Sequence, residues 1–138
     1  MTGTSHLTGH CLCGDITYRV PFPFEGEVSH CHCKMCRRAA GAVVVTWFTV
    51  RADTLELTGK PLKVYKSSEH GERGNCPTCG TPVTFRSSHY PGTVDVTLAT
   101  LDHPEDIAAD NHIYTESRLP WLVLDAHLPD RADDSDEA

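Results

Sequence analysis

A chain of 138 residues is long enough for one domain with a moderate core and too short for two ordinary domains. Its composition, 39% hydrophobic and 22% charged, is that of a globular protein and excludes the disordered and fibrous classes. The formal net charge of −7 disfavours a nucleic-acid partner, because Lys and Arg must neutralise phosphates in such complexes.

The start of the chain and its cysteine content indicate the cellular compartment in which we expect the protein. No apolar run approaches the roughly 18 residues of a membrane span. The opening sequence, MTGTSHLTGH, lacks the basic and apolar regions of a signal peptide. We therefore expect no membrane association and a cytoplasmic location. In that reducing compartment the seven cysteines are expected to be metal ligands or catalytic thiols rather than a disulfide framework.

Short apolar runs that alternate with period two predict β-strands along most of the chain. Turn-forming residues separate these runs at intervals typical of an antiparallel meander. A helical turn or short helix is expected only at residues 33–40 and 104–109, where Asp102 could cap the second segment. The sequence therefore predicts a mainly β domain built of antiparallel sheets. The predicted strands cover residues 16–20, 43–50, 55–57, 62–64, 83–85 and 94–98.

The chain ends in an acidic segment, DRADDSDEA, at residues 130–138. This segment has almost no apolar content, so we expect it to be a solvated, disordered tail. A single domain is therefore expected over residues 1–129.

Three short clusters contain every cysteine. A structural zinc needs four tetrahedral ligands, and one tight loop usually supplies two of them. The segment CPTCG at residues 76–80 has the form of a zinc knuckle, in which the glycine lets the turn close under the metal. The segment CLCG at residues 11–14 can supply the second loop. Together the two loops predict one closed zinc site with the ligands Cys11, Cys13, Cys76 and Cys79.

The middle cluster is left with three cysteines, Cys31, Cys33 and Cys36. Three protein ligands and one open position are typical of a catalytic zinc, so the fourth ligand is predicted to be the substrate. Two alternatives stay open. His30 could complete a closed site, whereas His32, which lies between two ligands, is expected to point away. Cys33 and Cys36 could instead form a thioredoxin-like redox pair, although no βαβ pattern surrounds them.

Three further residues are candidates for a pocket that binds a thiol substrate. Arg37 and Arg38 follow the middle cluster, and their guanidinium groups could stabilise its negative charge or bind a carboxylate; otherwise both are solvated. Trp47 and Phe48 lie on opposite faces of a predicted strand, so one could line the pocket, although core packing of both is the simpler expectation. The remaining histidines lack metal-ligand spacing and are expected to be exposed or satisfied: His70, His89, His103, His112 and His127.

The cysteine motifs also carry a family resemblance. The matching segments are TGHCLCGDITY at residues 8–18, SHCHCKMCRRAAGA at 29–42, CPTCGTP at 76–82 and HIYTESRLPW at 112–121. They resemble the signatures of the glutathione-dependent formaldehyde-activating (GFA) family, also called the centromere protein V/GFA domain. The resemblance covers residues 8–129, nearly the whole chain.

This resemblance implies an Mss4-like fold, with antiparallel β-sheets around zinc and little helix. It implies two zinc ions per chain, one on each of the cysteine sites described above. It also implies carbon–sulfur lyase activity on a small thiol adduct; in the namesake reaction, glutathione and formaldehyde give S-hydroxymethylglutathione. A non-catalytic, zinc-stabilised module that binds a protein partner is the alternative. Self-association into a homo-oligomer is left open.

Overall fold

The computed structural model describes residues 5–133, and the fold is mainly β, as predicted. The strands are β1 (Ser5–His10), β2 (Ile16–Phe22), β3 (Val28–Cys31), β4 (Val45–Arg51), β5 (Glu56–Gly59), β6 (Lys63–Lys66), β7 (Gly71–Asn75), β8 (Pro82–Ser87), β9 (Thr93–Thr97) and β10 (Asn111–Ile113). One α-helix, α1 (Lys34–Ala40), lies within this described range. No helix in it is long and apolar enough to cross a lipid bilayer.

The strands form two sheets. A three-stranded sheet has the order β1-β2-β5, and a seven-stranded sheet has the order β10-β3-β4-β9-β8-β7-β6. Neighbouring strands pair antiparallel except β10, which lies parallel to β3 with His112 opposite His30. This parallel pair is absent from the predicted meander. It brings the C-terminal part of the chain beside the strand that ends at Cys31, the start of the three-cysteine cluster.

The main core lies between the two sheets. Tyr18 and Val20 of β2 pack in one buried cluster with Phe48 of β4 and the apolar side chains of β9. A second apolar cluster contains Trp47. In this cluster Trp47 packs with Cys36 of α1 and Cys31 of β3. Trp47 and Phe48 therefore occupy opposite faces of β4, as alternation along the strand predicts.

The alternating runs correctly predict β2, β4, β5, β6, β8 and β9. The other four strands have no such run, since their sequences are SHLTGH, VSHC, GERGN and NHI. Strands β1, β3 and β7 each pair with a strand that the pattern does predict, and β10 pairs with β3. Their conformation therefore depends on a neighbour in the sheet rather than on an apolar pattern of their own.

Both predicted helical segments contain helical structure, and one of them is an α-helix. Residues 33–40 correspond to α1, with Cys33 at the N-cap. At residues 104–109 the expected helical turn is present but short, since a 3₁₀ turn covers only Pro104–Asp106. Asp102 does not cap it; its carboxylate accepts a hydrogen bond from the Thr8 hydroxyl at 2.6 Å and so ties β1 to this loop.

The folded part of the chain continues beyond residue 129, the boundary expected from the sequence. The main-chain N–H of Arg131 donates to the carbonyl oxygen of His112 at 2.9 Å, and Asp130 forms an ion pair with Arg118 at 2.7 Å. Asp130 and Arg131 therefore belong to the domain, because both are bonded to it. The disordered tail stays a prediction, since residues 134–138 lie outside the described residues.

Candidate metal centres and the adjoining cavity

The four cysteines of the predicted closed site converge as expected. The Sγ atoms of Cys11, Cys13, Cys76 and Cys79 all lie within 4.8 Å of one another. The Sγ atom of Cys13 is 3.7 Å from that of Cys11 and 3.8 Å from that of Cys76. Zinc–sulfur bonds of about 2.3 Å in a tetrahedron place the sulfurs about 3.8 Å apart. The thiols are thus spaced as zinc requires.

Two tight turns present these thiols. Gly14 and Gly80 end the turns at φ of +83° and +80°, a conformation that glycine adopts without strain. Their main-chain N–H groups donate to the carbonyl oxygens of Cys11 and Cys76, at 3.1 and 2.9 Å. Further N–H groups point at sulfur: that of Cys79 lies 3.5 Å from the Cys76 Sγ. Such amide donors stabilise thiolates, which are the metal-binding form.

Thr81 ties the two turns together. Its Oγ1 accepts the N–H of Leu12 at 3.1 Å and lies 3.1 Å from the Sγ of Cys79. The hydrogen bond from the Thr81 hydroxyl lowers the pKa of Cys79 to about 5. This hydrogen bond favours the thiolate, which is the form of cysteine that binds a metal.

The turn at Gly80 gives a first test of this geometry. Gly80→Ala is expected to lower the free energy of unfolding of the zinc-loaded protein by about 1–2 kcal/mol, because an L-residue is strained at this φ. Nothing lies within 4 Å of the added Cβ, so backbone strain alone accounts for the expected loss of stability. Gly92→Ala is the matched control, since it meets no neighbour and has no positive φ. Urea denaturation measures both; equal losses in the two variants would contradict the assignment.

The three remaining cysteines also converge. The Sγ atoms of Cys31, Cys33 and Cys36 lie within 4.8 Å of one another, and those of Cys31 and Cys36 are 3.5 Å apart. A disulfide needs about 2.05 Å, and all seven cysteines are free thiols. The N–H of Cys36 donates to the Cys33 Sγ at 3.2 Å, so that Cys33 caps α1. The Cys31 thiol, and then the Cys36 thiol, lower the pKa of Cys33 to about 2 by hydrogen bonding to its sulfur.

Neither neighbouring histidine joins this cluster. His30 is bonded through Nδ1 to the Thr46 Oγ1 at 2.7 Å and through Nε2 to the Asp125 carboxylate at 2.8 Å. His32 points away, as expected, and its Nε2 lies 2.8 Å from the Nδ1 of His112. Within residues 5–133, no His, Asp or Glu side chain adds a ligand atom to the three thiols. A fourth ligand from outside the protein fits this arrangement.

A cavity of about 540 Å³ opens beside the three-cysteine cluster. This volume lies within the range of pockets that bind small molecules, roughly 300–1,000 Å³. The cluster, α1 and the ends of several strands of the large sheet form its walls. The lining residues are Cys31, Cys33, Lys34, Met35, Cys36, Trp47, Ser68, Glu69, His70, Gly71, Arg73, Phe85, Ser87, His89, Asp95, Ile113, Tyr114 and Ser117.

The arginine that contacts the cluster is Arg73 of β7. It is only 8% exposed, and both its Nη atoms lie 3.7 Å from the Cys36 Sγ. Its Nε donates to the Ser67 hydroxyl at 3.1 Å, and its guanidinium stacks over the Phe85 ring at 4.9 Å. Phe85 is the direct cross-strand partner of Arg73 in β8. The guanidinium therefore lies where it can offset the negative charge of the thiolates.

The predicted pocket arginines are placed elsewhere. Neither Arg37 nor Arg38 lines the cavity; Arg37 is half-buried, and Arg38 is exposed and lines a separate groove. Cys33 and Cys36 are three positions apart and share one face of α1, whereas Arg38, two positions beyond Cys36, lies on the opposite face. Of the three predicted pocket residues, only Trp47 lines the cavity.

Sequence reasoning missed two cavity histidines. The rings of His70 and His89 lie 4.1 Å apart at the cavity wall. They flank the adjacent ends of β7 and β8, where Gly71 pairs with Ser87, so the hairpin itself brings them together. No local spacing indicates such a pair. His112 is buried and bonded, whereas His103 and His127 are exposed, as expected of exposed or satisfied histidines.

The fold and the two clusters define a mainly β protein with two groups of thiols able to hold metal ions. The model of the glutathione-dependent formaldehyde-activating enzyme family, GFA, matches residues 6–117, so the chain belongs to this family. A crystal structure of a Rhodobacter sphaeroides protein superimposes with a TM-score of 0.57 at 18% identity, covering 89% of this chain and 98% of that one. This likeness supports the fold. No curated protein matches the sequence.

Proposed function

We propose that the protein is a zinc-dependent carbon–sulfur lyase of the GFA type that acts on a small thiol adduct in the cytoplasm. One observation carries the proposal: three converging thiols, with no fourth ligand from residues 5–133, face a cavity of about 540 Å³. A closed structural site would not need such a cavity. The family description supports glutathione and formaldehyde as the reactants.

The two clusters take different roles in this proposal. Cys11, Cys13, Cys76 and Cys79, on two turns, would hold a structural zinc that links one sheet to the other. Cys31, Cys33 and Cys36 hold the second zinc at the cavity. When bound there, zinc lowers the pKa of a coordinated thiol and so supplies a reactive thiolate at neutral pH.

The chain's own residues prepare the cavity for an anionic sulfur. Arg73 keeps a positive charge beside Cys36, where a further thiolate would add negative charge. Trp47 and Phe85 supply apolar walls with ring centroids 6.2 Å apart, which exclude water and strengthen these electrostatic interactions. In the synthetic direction, the substrate sulfur bonds to the carbonyl carbon of formaldehyde, and the thiol proton ends on the carbonyl oxygen.

Exchange NMR tests the proposal, because formaldehyde and glutathione also combine without an enzyme and exchange rates measure the difference. The zinc-loaded wild-type protein is expected to speed the exchange between glutathione and its hydroxymethyl adduct. Cys36→Ser, which keeps the four-cysteine site intact, is expected to give the buffer rate. A parallel series with cysteine and 2-mercaptoethanol in place of glutathione defines the thiol range.

If the wild-type protein gives the same exchange rate as buffer with every thiol, the lyase proposal is wrong. The non-catalytic module that binds a protein partner then becomes the better account. In either case we propose no nucleic-acid partner, since the net charge is −7.

A further inference from the structure

We propose that Asp125 is a positioning residue for the three-cysteine cluster, acting through the buried histidines His30, His112 and His32. The inference rests on the proposed function, because it takes the cluster to hold a metal. Asp125 touches neither a thiol nor the cavity wall. Its effect passes through hydrogen bonds to β3, which ends at Cys31, and to β10, which pairs with β3.

Asp125 binds two neighbouring strands at once. Its Oδ2 accepts the Nε2–H of His30 in β3 at 2.8 Å, and its main-chain oxygen lies 3.0 Å from the Nε2 of His112 in β10. His30 and His112 are direct partners in the parallel pair, with ring centroids 5.1 Å apart. One residue thus fixes the side chains on both strands of the pair that ends at the cluster.

The hydrogen-bond chain continues to the cluster itself. A carbonyl oxygen only accepts, so the Nε2 of His112 carries the hydrogen, and in the neutral ring its Nδ1 presents a lone pair. The Nε2–H of His32 donates to that lone pair at 2.8 Å. His32 lies between Cys31 and Cys33, and its main-chain N–H donates to the Ile113 oxygen at 3.1 Å. Through these hydrogen bonds Asp125 therefore influences the orientation of Cys31 and Cys33, the two ligands that flank His32.

Two features that lower the stability of the protein accompany this chain of hydrogen bonds. Asp125 has φ of +44°, a conformation that few residues other than glycine adopt. The Nδ1 of His32 is buried and has no hydrogen-bond partner among the described residues. Backbone strain and unpaired buried polar atoms both lower stability and cluster at functional sites. Groups that are hydrogen-bonded to the ligands of a metal typically change its affinity by about 10–100-fold when lost, and we expect the same order for this chain of hydrogen bonds.

Three variants of Asp125 separate the possible causes. Asp125→Asn keeps an oxygen acceptor and tolerates positive φ, Asp125→Gly keeps the backbone but loses the acceptor, and Asp125→Ala loses both. The readout is the rate at which the zinc-loaded full chain releases metal to a chromophoric chelator. Cys36→Ser identifies which kinetic phase belongs to the three-cysteine site. The cobalt-loaded forms give a second readout, the thiolate-to-cobalt absorption of that site.

We expect Asp125→Gly and Asp125→Ala to speed release from the three-cysteine site by about 10–100-fold, with release from the four-cysteine site unchanged. Asp125→Asn is expected to release metal at nearly the wild-type rate. Wild-type release from Asp125→Gly, or equal acceleration of both phases in all variants, overturns the positioning role while the proposed function stands. A wild-type chain that binds a single zinc overturns both.

Discussion

Cys76→Ser is expected to unfold most of the domain even in excess zinc. Cys76 lies in the turn between β7 and β8, and its partners Cys11 and Cys13 lie in the turn between β1 and β2, so the metal joins the two sheets. A structural zinc contributes about 10–16 kcal/mol in small zinc domains. This matches or exceeds the whole stability of a typical domain, about 5–15 kcal/mol.

Amide chemical-shift dispersion and thermal melting followed by circular dichroism measure this loss. Thr78→Ser is the matched control, because it lies in the same turn, is not a ligand, and keeps the hydroxyl that accepts a hydrogen bond from Lys60 at 3.0 Å. The control should melt like the wild type. A well-dispersed spectrum and a cooperative melt for Cys76→Ser would show that the sheets hold together without this site.

Arg73→Met is expected to weaken zinc binding at the three-cysteine site at least a hundredfold while leaving the domain folded. Removing one partner of a buried charge pair costs about 3–5 kcal/mol, because the other charge stays buried without compensation. Arg73→Lys keeps the charge but cannot present two Nη groups to the Cys36 sulfur, so its loss should be smaller.

Competition with a chelator of known affinity measures the effect of these Arg73 substitutions. Arg37→Gln is the matched control, because this arginine lies next to Cys36 in sequence but does not line the cavity. If Arg73→Met binds the second zinc as tightly as the wild type, or if Arg37→Gln loses as much, the buried guanidinium has no special role. The same variants in the exchange assay show whether thiol binding follows zinc binding.

The features that follow from short segments could be predicted from the sequence. Both cysteine sites depend on pairs of thiols within single turns, and their spacing indicates the turns directly. The opposite placement of Trp47 and Phe48 follows from strand periodicity alone. The pairing of the first and third clusters follows from counting ligands, since two loops complete one tetrahedral site.

The surroundings of the second site could not be predicted, because distant segments supply them. Arg73 reaches Cys36 only through the order of strands in the large sheet. His70 and His89 meet only because β7 and β8 form a hairpin. Arg37 and Arg38 follow Cys36 directly in the sequence, yet neither lines the cavity. The positive charge beside Cys36 therefore comes from a residue 37 positions later in the chain and not from the arginines next to it in sequence.

The parallel pairing of β10 with β3 has a consequence for biosynthesis. Chains are made from the N-terminus, and domains fold as their parts emerge. All three thiols of the second site leave the ribosome before His112 and Asp125, which lie against β3, are made. A nascent chain thus exposes a complete set of thiols long before the strand that orients them exists. During synthesis these thiols therefore depend on a bound metal or on a reducing environment for protection against oxidation.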